Sequence, residues 1–140
     1  MRSSSILEIG QQFMAALSAR NFNQLQDSFQ KGVQFRALVP TGIRGGIGAE
    51  EAVAWLEHWF GEADEFQVLA STMEQIADRL HIAYRFRVFK NGEWQIVEQQ
   101  AYCTVSDSQI DVMHLISSGF RPDPQPQTVG RADALYETAN

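Results

Sequence analysis

The sequence contains one cysteine, no long hydrophobic run and more acidic than basic residues. A lone Cys103 cannot form an internal disulfide, which fits a reducing compartment and is equally consistent with a secreted protein that lacks bridges. No apolar run reaches the roughly 20 residues of a membrane span. Because Glu8, Gln11 and Gln12 interrupt the first apolar residues, a signal peptide is disfavoured. We therefore expect a cytoplasmic protein without a membrane partner.

The charge balance and the spacing of polar residues exclude several functional classes. The net charge of −6 repels phosphate backbones, so nucleic acid is not an expected partner. No histidines or carboxylates have metal-ligand spacing on a shared helix face. The glycines of segment 45–48 lack the Gly-Lys-Ser/Thr ending of a phosphate loop, and we interpret this segment as a turn into a helix. No metal and no cofactor is predicted.

The first half of the sequence predicts helices followed by a strand. Ser5 and Glu8 have capping-box spacing, so a helix should begin immediately after Ser5. Asn21 is a candidate cap for a second, shorter helix that ends near Gly32. Apolar residues alternate with other residues over 33–39, which predicts a strand, and a third amphipathic helix follows the glycine-rich segment.

A β-hairpin is the strongest local prediction, because Asn91-Gly92 lies between runs of alternating apolar residues. Counting outward from this turn pairs Lys90 with Glu93 and Tyr84 with Gln99. This register sorts the side chains onto two faces of a sheet. The predicted buried face comprises Leu80, Ile82, Tyr84, Phe86, Val88, Val97, Gln99, Ala101, Cys103 and Val105, and the opposite face comprises His81, Arg85, Arg87, Glu98, Gln100 and Tyr102.

The order of elements predicts an α+β domain whose helices gather on one face of a mainly antiparallel sheet. Strands over 66–76 and 110–117 flank the hairpin on either side in the sequence. At 140 residues the chain can form one domain that needs neither metal nor disulfide. We assign residues 1–120 to this domain and 121–140 to a proline-containing C-terminal tail.

Three segments carry a resemblance to a known superfamily: FMAALSARNFNQLQDSF, GIGAEEAVAWLEHWF and FKNGEWQIVEQQAYCTVSDSQI. In their order and spacing, over about Ile6 to Phe120, the chain resembles the nuclear transport factor 2-like superfamily, including SnoaL-like proteins and ketosteroid isomerase. The resemblance implies a strongly curved sheet wrapped around the N-terminal helices, with a cone-shaped, mostly apolar cavity. Its members include isomerases, cyclases, dehydratases, epoxide hydrolases and binding modules, so the fold does not select a reaction.

The resemblance can be tested against the catalytic groups of ketosteroid isomerase, a carboxylate base with a tyrosine and a protonated aspartate as oxyanion donors. The matching positions fall near Phe13, near Ala37 and on Ala101. None of these side chains can donate or accept a proton. The isomerase mechanism is therefore not expected, although an apolar ligand remains compatible with these residues.

His114 is the residue on which a catalytic interpretation depends. If Asp107-Ser108 is a two-residue turn without a bulge, Ala101 opposes His114, which then points inward beside Tyr84 and Gln99. His114 could then act as a general acid or base, with Tyr84 donating to an oxyanion. With a longer or bulged turn, Met113 and Leu115 would point inward instead of His114. In the alternative interpretation, His114 is satisfied by Gln99 or by a partner chain, and Tyr84 anchors the core through its hydroxyl.

We predict catalytic roles for His114 and Tyr84. The residues predicted to line the ligand site are Phe13, Phe35, Ala37, Trp55, Trp59, Ile82, Phe86, Gln99, Ala101 and Cys103.

Two functions follow from these expectations. The first is a SnoaL-like protein that binds a small hydrophobic, cyclic molecule, with turnover as a cyclase, isomerase or dehydratase left open. The second is a noncatalytic dimeric interaction or ligand-binding module. Tyr102, Arg85, Gln100, Ile96 and Trp94 mix aromatic, amide and charged groups on the outer sheet face, which favours a homodimer there; an ordinary solvated face is the alternative.

Overall fold

The computed structural model describes residues 5–123. These residues form three helices and seven strands: α1 (Ile6–Ser18), α2 (Phe22–Gln26), β1 (Phe29–Val39), β2 (Gly42–Ile47), α3 (Ala49–Phe60), β3 (Glu65–Ile76), β4 (Arg79–Lys90), β5 (Glu93–Ser106), β6 (Gln109–Ser117) and β7 (Arg121–Pro122). None of the described helices has the length and apolar character needed to cross a bilayer.

The strands form one mixed, mostly antiparallel sheet in the order β2-β1-β6-β5-β4-β3, with the short β7 paired to β5. Strands β1 and β6 run parallel. Helix α1 packs on β3 and β4, while α3 packs on β1 and β2. The helices therefore cover one face of a curved sheet, and the predicted α+β class is confirmed.

Helix α1 begins where its capping box predicts. Ser5 Oγ accepts a hydrogen bond of 3.1 Å from the Glu8 amide, and the Ser5 amide donates one of 2.9 Å to Glu8 Oε1. The buried side of α1 includes Phe13 and Leu17, both fully buried. Two bonds at the first turn thus orient the helix so that its apolar side meets the sheet.

The second helix is shorter than predicted. Asn21 caps it, since Asn21 Oδ1 accepts from the Gln24 amide at 3.1 Å, but α2 ends at Gln26 and Phe29 begins β1. Phe29 lies in register with Ile110 of β6 and packs edge-on against Phe13 at 6.0 Å between ring centroids. Pairing and burial of Phe29 in the sheet outweigh continuation of the helix.

The glycine-rich segment is a strand rather than a turn, so this prediction was wrong. Strand β2 pairs antiparallel with β1 over its whole length, placing Gly45 opposite Arg36. Gly45 has a φ of 144°, and a Cβ there would lie 2.1 Å from the Phe35 carbonyl oxygen. Glycine is required by this close approach of two backbones. Gly48 then precedes α3 as its N-cap residue.

The central hairpin has the predicted register at every position. Asn91 and Gly92 both have positive φ, 55° and 80°, and Tyr84 is paired with Gln99. The side chains of the predicted buried face are buried toward the helices, except that Val105 is only half-buried. On the other face, Arg87 is buried, and its guanidinium lies over the Trp94 ring at 5.1 Å from the centroid.

Strand β6 presents the opposite face from the one predicted. Asp107 and Ser108 form the expected turn with positive φ, but the register shifts between Thr104 and Val105, so that Asp111 is an extra residue. Thr104 Oγ1 donates a hydrogen bond to Asp111 Oδ1 at this bulge. Because one extra residue reverses the alternation of side chains, every later residue of β6 changes face.

The first residues of the predicted tail belong to the sheet. Arg121 and Pro122 form β7 beside β5, and the Asp123 amide donates to the Trp94 carbonyl at 3.0 Å. An Asp123 carboxylate oxygen also lies 3.7 Å from Arg87 Nη1. The rest of the predicted tail, and residues 1–4 of the predicted domain, lie outside the described residues.

Candidate functional site

Tyr84 and Gln99 form a polar pair inside the apolar interior. They are cross-strand partners on β4 and β5, and the Tyr84 hydroxyl donates a hydrogen bond of 2.6 Å to Gln99 Oε1. Their residues are only 2% and 1% exposed. Since an unpaired buried polar group costs free energy, the bond allows both groups to remain in this interior.

The hydrogen bonding continues beyond Gln99 to the end of β6. Gln99 Nε2 donates to Ser117 Oγ at 3.1 Å, and the same oxygen accepts from the Gly119 amide at 3.1 Å. Ser117 lies opposite Gln99 in the sheet register. Ser117 was not among the predicted site residues, although the register that includes the Asp111 bulge would have identified it.

Burial determines the protonation state of the ionisable side chains on the inner sheet face. In the described part of this face the buried ionisable side chains are Tyr84 and Cys103. Burial raises the pKa of Tyr84 well above its ordinary value, with a smaller contribution from Cys103. Burial also raises the pKa of Cys103 to about 12. Both groups are therefore neutral near pH 7, so Tyr84 can donate a hydrogen bond but neither group is a general base.

The apolar residues of the predicted lining belong to the same hydrophobic core as Tyr84, or pack against it. Phe60 of α3 connects the helices to it, with its ring 6.4 Å from Tyr84 and 5.1 Å from Phe86. The buried members of the predicted lining are Phe13, Phe35, Ala37, Ile82, Phe86, Gln99, Ala101 and Cys103, whereas Trp55 and Trp59 are half-buried.

Three aromatic rings of the interior are packed without gaps. Phe13, Phe60 and Phe86 are all 0% exposed. A water-sized space beside these rings would appear as accessible surface, so no such space adjoins them. The Phe60 and Phe86 rings lie 5.1 Å apart between centroids. A ligand would therefore contact these three rings only if side chains moved.

Half-buried aromatic residues surround one side of this interior and form its rim. Trp59 lies 6.3 Å from Phe35 and 5.8 Å from Trp55 between ring centroids. Phe120 follows shortly after β6, and its ring packs on the Phe60 ring at 5.9 Å between centroids. Phe60 therefore contacts both the rim and Tyr84.

His114 does not belong to this site. It is exposed on the outer sheet face, opposite Tyr102, because the Asp111 bulge turns Met113 and Leu115 inward instead. The prediction that His114 joins Tyr84 and Gln99 was wrong for this reason.

The other two histidines also lie outside the interior. His58 is exposed on α3, where its ring meets Trp55 at 5.9 Å. His81 lies on the outer face, with Nε2 3.0 Å from Gln100 Oε1 and Nδ1 3.7 Å from a Glu74 carboxylate oxygen. Within residues 5–123, no three His, Cys, Asp or Glu side chains are grouped so that they could hold a metal ion.

Comparisons with known proteins identify the fold. No family model matches the chain, and no curated protein matches its sequence. A candidate polyketide cyclase of Pseudomonas putida superposes with a TM-score of 0.66 at 13% identity, covering 81% of this chain and 91% of the other. A nuclear transport factor 2-like protein of unknown function from Cytophaga hutchinsonii gives 0.57 at 18% identity, covering 90% and 97%.

The chain has the nuclear transport factor 2-like fold. An LEH-like epoxide hydrolase of M. tuberculosis shares it, with a TM-score of 0.62 at 10% identity over 81% of this chain and 82% of the other.

Within this nuclear transport factor 2-like fold, the three positions matched to ketosteroid isomerase are apolar and buried: Phe13, Ala37 and Ala101. Such side chains can pack against an apolar ligand, but they supply no group for proton transfer. The described inner face therefore offers hydrogen bonds from Tyr84 and Gln99 within an apolar enclosure.

Proposed function

We propose that this protein binds a small, mostly apolar cyclic molecule between α3 and the inner sheet face, with one ligand oxygen held by the side-chain amide of Gln99, which Tyr84 keeps in position. The observation that carries the proposal is the buried chain from Tyr84 through Gln99 to Ser117. A polar chain inside an apolar enclosure can fix the orientation of a ligand that is otherwise held by hydrophobic contact.

One side-chain N–H of Gln99 can donate a hydrogen bond to such a ligand. Its side-chain amide carries two N–H groups, of which one donates to Ser117 Oγ. The other has no acceptor among residues 5–123. A carbonyl or hydroxyl oxygen of the ligand would accept from it without breaking the existing bonds.

Binding beside Phe60 requires the aromatic rim to open, because the Phe60 ring is fully buried. Phe120 is the residue whose displacement would expose Phe60 and the end of the polar chain, since its ring lies on Phe60. It follows Gly119, whose positive φ of 77° marks a turn in the chain. We expect Phe120 to swing outward when a ligand enters and to cover it afterwards.

Binding without turnover is the function that these residues support best. An isomerase or dehydratase needs a group that accepts a proton near neutral pH. On the described inner face, both buried ionisable side chains have raised pKa values and stay protonated. A cyclase that works through donated hydrogen bonds alone would need Tyr84 to break its bond to Gln99 Oε1 and donate to a developing oxyanion instead.

Native mass spectrometry of the purified chain tests the proposal, because a bound hydrophobic compound adds its mass to the folded protein. Titration with 2-naphthol and naphthalene, followed by tryptophan fluorescence, then tests the polar contact. We expect 2-naphthol to bind more tightly, and Gln99→Leu to reduce this preference by about tenfold, the value of one typical hydrogen bond.

Two further variants separate binding from folding. Phe120→Ala should bind both probes more tightly, because no ring has to be displaced. Arg85→Gln, on the outer face of the same strand, should bind like the unaltered chain. Equal affinity for the two probes in every variant, or no binding of either, would contradict the proposal.

A second candidate function is a dimeric interaction module, which the outer sheet face favours. Tyr102 is exposed there beside an exposed Gln100, while Ile96 and Trp94 are half-buried. Aromatic and amide groups in this mixture are typical of moderately polar interfaces. Light scattering at micromolar concentration should show a dimer that Tyr102→Glu dissociates; a monomer at that concentration would count against it.

A further inference from the structure

The outer sheet face carries a trough that the proposed ligand site around Tyr84 does not use, and Gln100 and Tyr102 of the second candidate function lie at one end of it. Two adjoining concavities of about 740 Å³ and 300 Å³ lie over β2, β1 and β6. They share Arg36, Ile43 and His114. Because the helices cover the opposite face of the sheet, this trough is separate from the interior around Tyr84.

The lining of the trough is cationic in an acidic protein. The chain has 17 acidic and 11 basic residues, yet the lining includes Arg36, Arg44 and His114 and no carboxylate among the described residues. The sheet register brings these residues together, since Arg36 is paired with both Gly45 and His114. A local concentration of donors of this kind favours an anion.

Arg36 differs from other cations on the same face because its side chain has no partner within the described part of the chain. Arg85 lies 3.1 Å from Glu98, and Arg87 lies 3.7 Å from Asp123. By contrast, the side chains of Arg36 and His114 make no hydrogen bond or ion pair with any residue of 5–123. The guanidinium of Arg36 is therefore free to form a bidentate contact with a carboxylate or phosphate.

Backbone geometry keeps the space beside Arg36 open. Gly45, directly across from Arg36, cannot be replaced by a larger residue without a clash with the Phe35 carbonyl. At the rim, the Arg44 guanidinium is held by Thr41 Oγ1 at 2.8 Å and by the Ile43 carbonyl at 3.1 Å. No side chain of Gly45 therefore occupies the space beside Arg36, and the Arg44 guanidinium is held in place by Thr41 and Ile43.

The remaining walls are apolar and accessible. Leu38, Ile43 and Ile116 are 50%, 63% and 51% exposed, and they are neighbours in the sheet register. We propose that the trough binds an amphipathic organic anion, whose carboxylate or phosphate contacts Arg36 and His114 while its apolar chain lies over these three residues. Charge and apolar surface within one trough match the two ends of such a molecule.

Titration of the protein with hexanoate, hexyl phosphate and hexanol, followed by amide and imidazole NMR shifts, tests this proposal. Both anions should shift the resonances of Gly45 and His114, and hexanol should not. Binding of one anion alone identifies the headgroup that the site accepts. Arg36→Gln should weaken anion binding by about tenfold or more, because a charge-assisted bond is lost.

Arg85→Gln is the matched control, since Arg85 lies on the same face but is paired with Glu98; it should leave the anion affinity unchanged. Leu38→Ser should weaken hexanoate more than acetate. The proposal is overturned if hexanol binds as well as hexanoate, if Arg36→Gln binds hexanoate normally, or if Arg36→Gln changes only the oligomeric state in light scattering. The first two results would leave ligand binding around Tyr84 unaffected, so the two proposals can fail separately.

Discussion

Two neighbouring cross-strand pairs of the central hairpin show how the faces of one sheet differ. Tyr84 and Gln99 point inward and are bonded to one another at 2.6 Å in the buried interior. Arg85 and Glu98, the next pair toward the hairpin turn, point outward at 3.1 Å with side chains 48% and 54% exposed. The formally charged pair is the weaker one, because water competes for its groups and screens their attraction.

The largest expected difference between the faces concerns the adjacent residues Phe86 and Arg85. Phe86→Ala should lower the free energy of unfolding by about 3–5 kcal/mol, since it removes a fully buried ring from a filled interior. Arg85→Ala should cost under about 1 kcal/mol. Urea unfolding followed by far-UV circular dichroism measures both. Similar losses in the two variants would show that the inner face is not the core.

The inner polar pair should show a clear coupling. Tyr84→Phe leaves Gln99 Oε1 without its donor and should cost about 1–3 kcal/mol. When Gln99→Leu is combined with it, the double variant should lose less than the sum of the single losses, because no unpaired oxygen remains. Chemical denaturation of the four proteins gives this coupling. Simple additivity would argue that the bond contributes nothing specific.

Stability should fall at alkaline pH because of Cys103. Its pKa is raised from 9.0 to about 12 in the folded chain, so the unfolded chain releases the thiol proton first. Stability is therefore complete below pH 9.0 and falls as the pH rises from 9.0 to about 12. Tyr84 acts in the same direction. Unfolding midpoints across this range should decline less steeply in Cys103→Ala, and an unchanged slope would exclude the thiol as a cause.

The outer ion pair should have a small coupling energy. A double-mutant cycle with Arg85→Ala and Glu98→Ala should give about 0.2–1 kcal/mol, which 1 M salt reduces further. The coupling energy from the double-mutant cycle of Tyr84 and Gln99 should not change with salt. A coupling at the outer pair equal to that of Tyr84 and Gln99 would remove the contrast between the faces.

The smallest effect is expected for His114, which the bulge at Asp111 places outside. His114→Ala should change the free energy of unfolding by less than about 0.5 kcal/mol and leave 2-naphthol binding as it is. Hexanoate binding at the outer trough should weaken in the same variant. Loss of 2-naphthol affinity would mean that His114 contributes to the interior after all.

Much of the fold could be predicted because its signals are local. The capping residues at Ser5 and Glu8 and the positive φ required at Asn91 and Gly92 depend on a few adjacent residues. From the hairpin turn alone, period-two alternation assigns both faces of two long strands. The sequence alone therefore pairs Tyr84 with Gln99 and places both on the buried face.

The remaining features depend on partners that are distant in the sequence. Gly45 belongs to a strand because it fits against the Phe35 carbonyl, and α2 ends early because Phe29 pairs with Ile110. Neither contact leaves a local pattern. Strand β6 is apolar on both sides of His114, so its pattern permits either face, and a single extra residue at Asp111 decides between them.

Short-range stereochemistry thus determined the caps, the hairpin turn and the alternation of side chains, because each follows from the dihedral angles and hydrogen bonds of adjacent residues. Long-range packing decided which way His114 points, that Phe13, Phe60 and Phe86 are fully buried, and that Ser117 completes the polar chain. These outcomes depend on how strands and helices from separate parts of the chain share one volume, which only the assembled fold specifies.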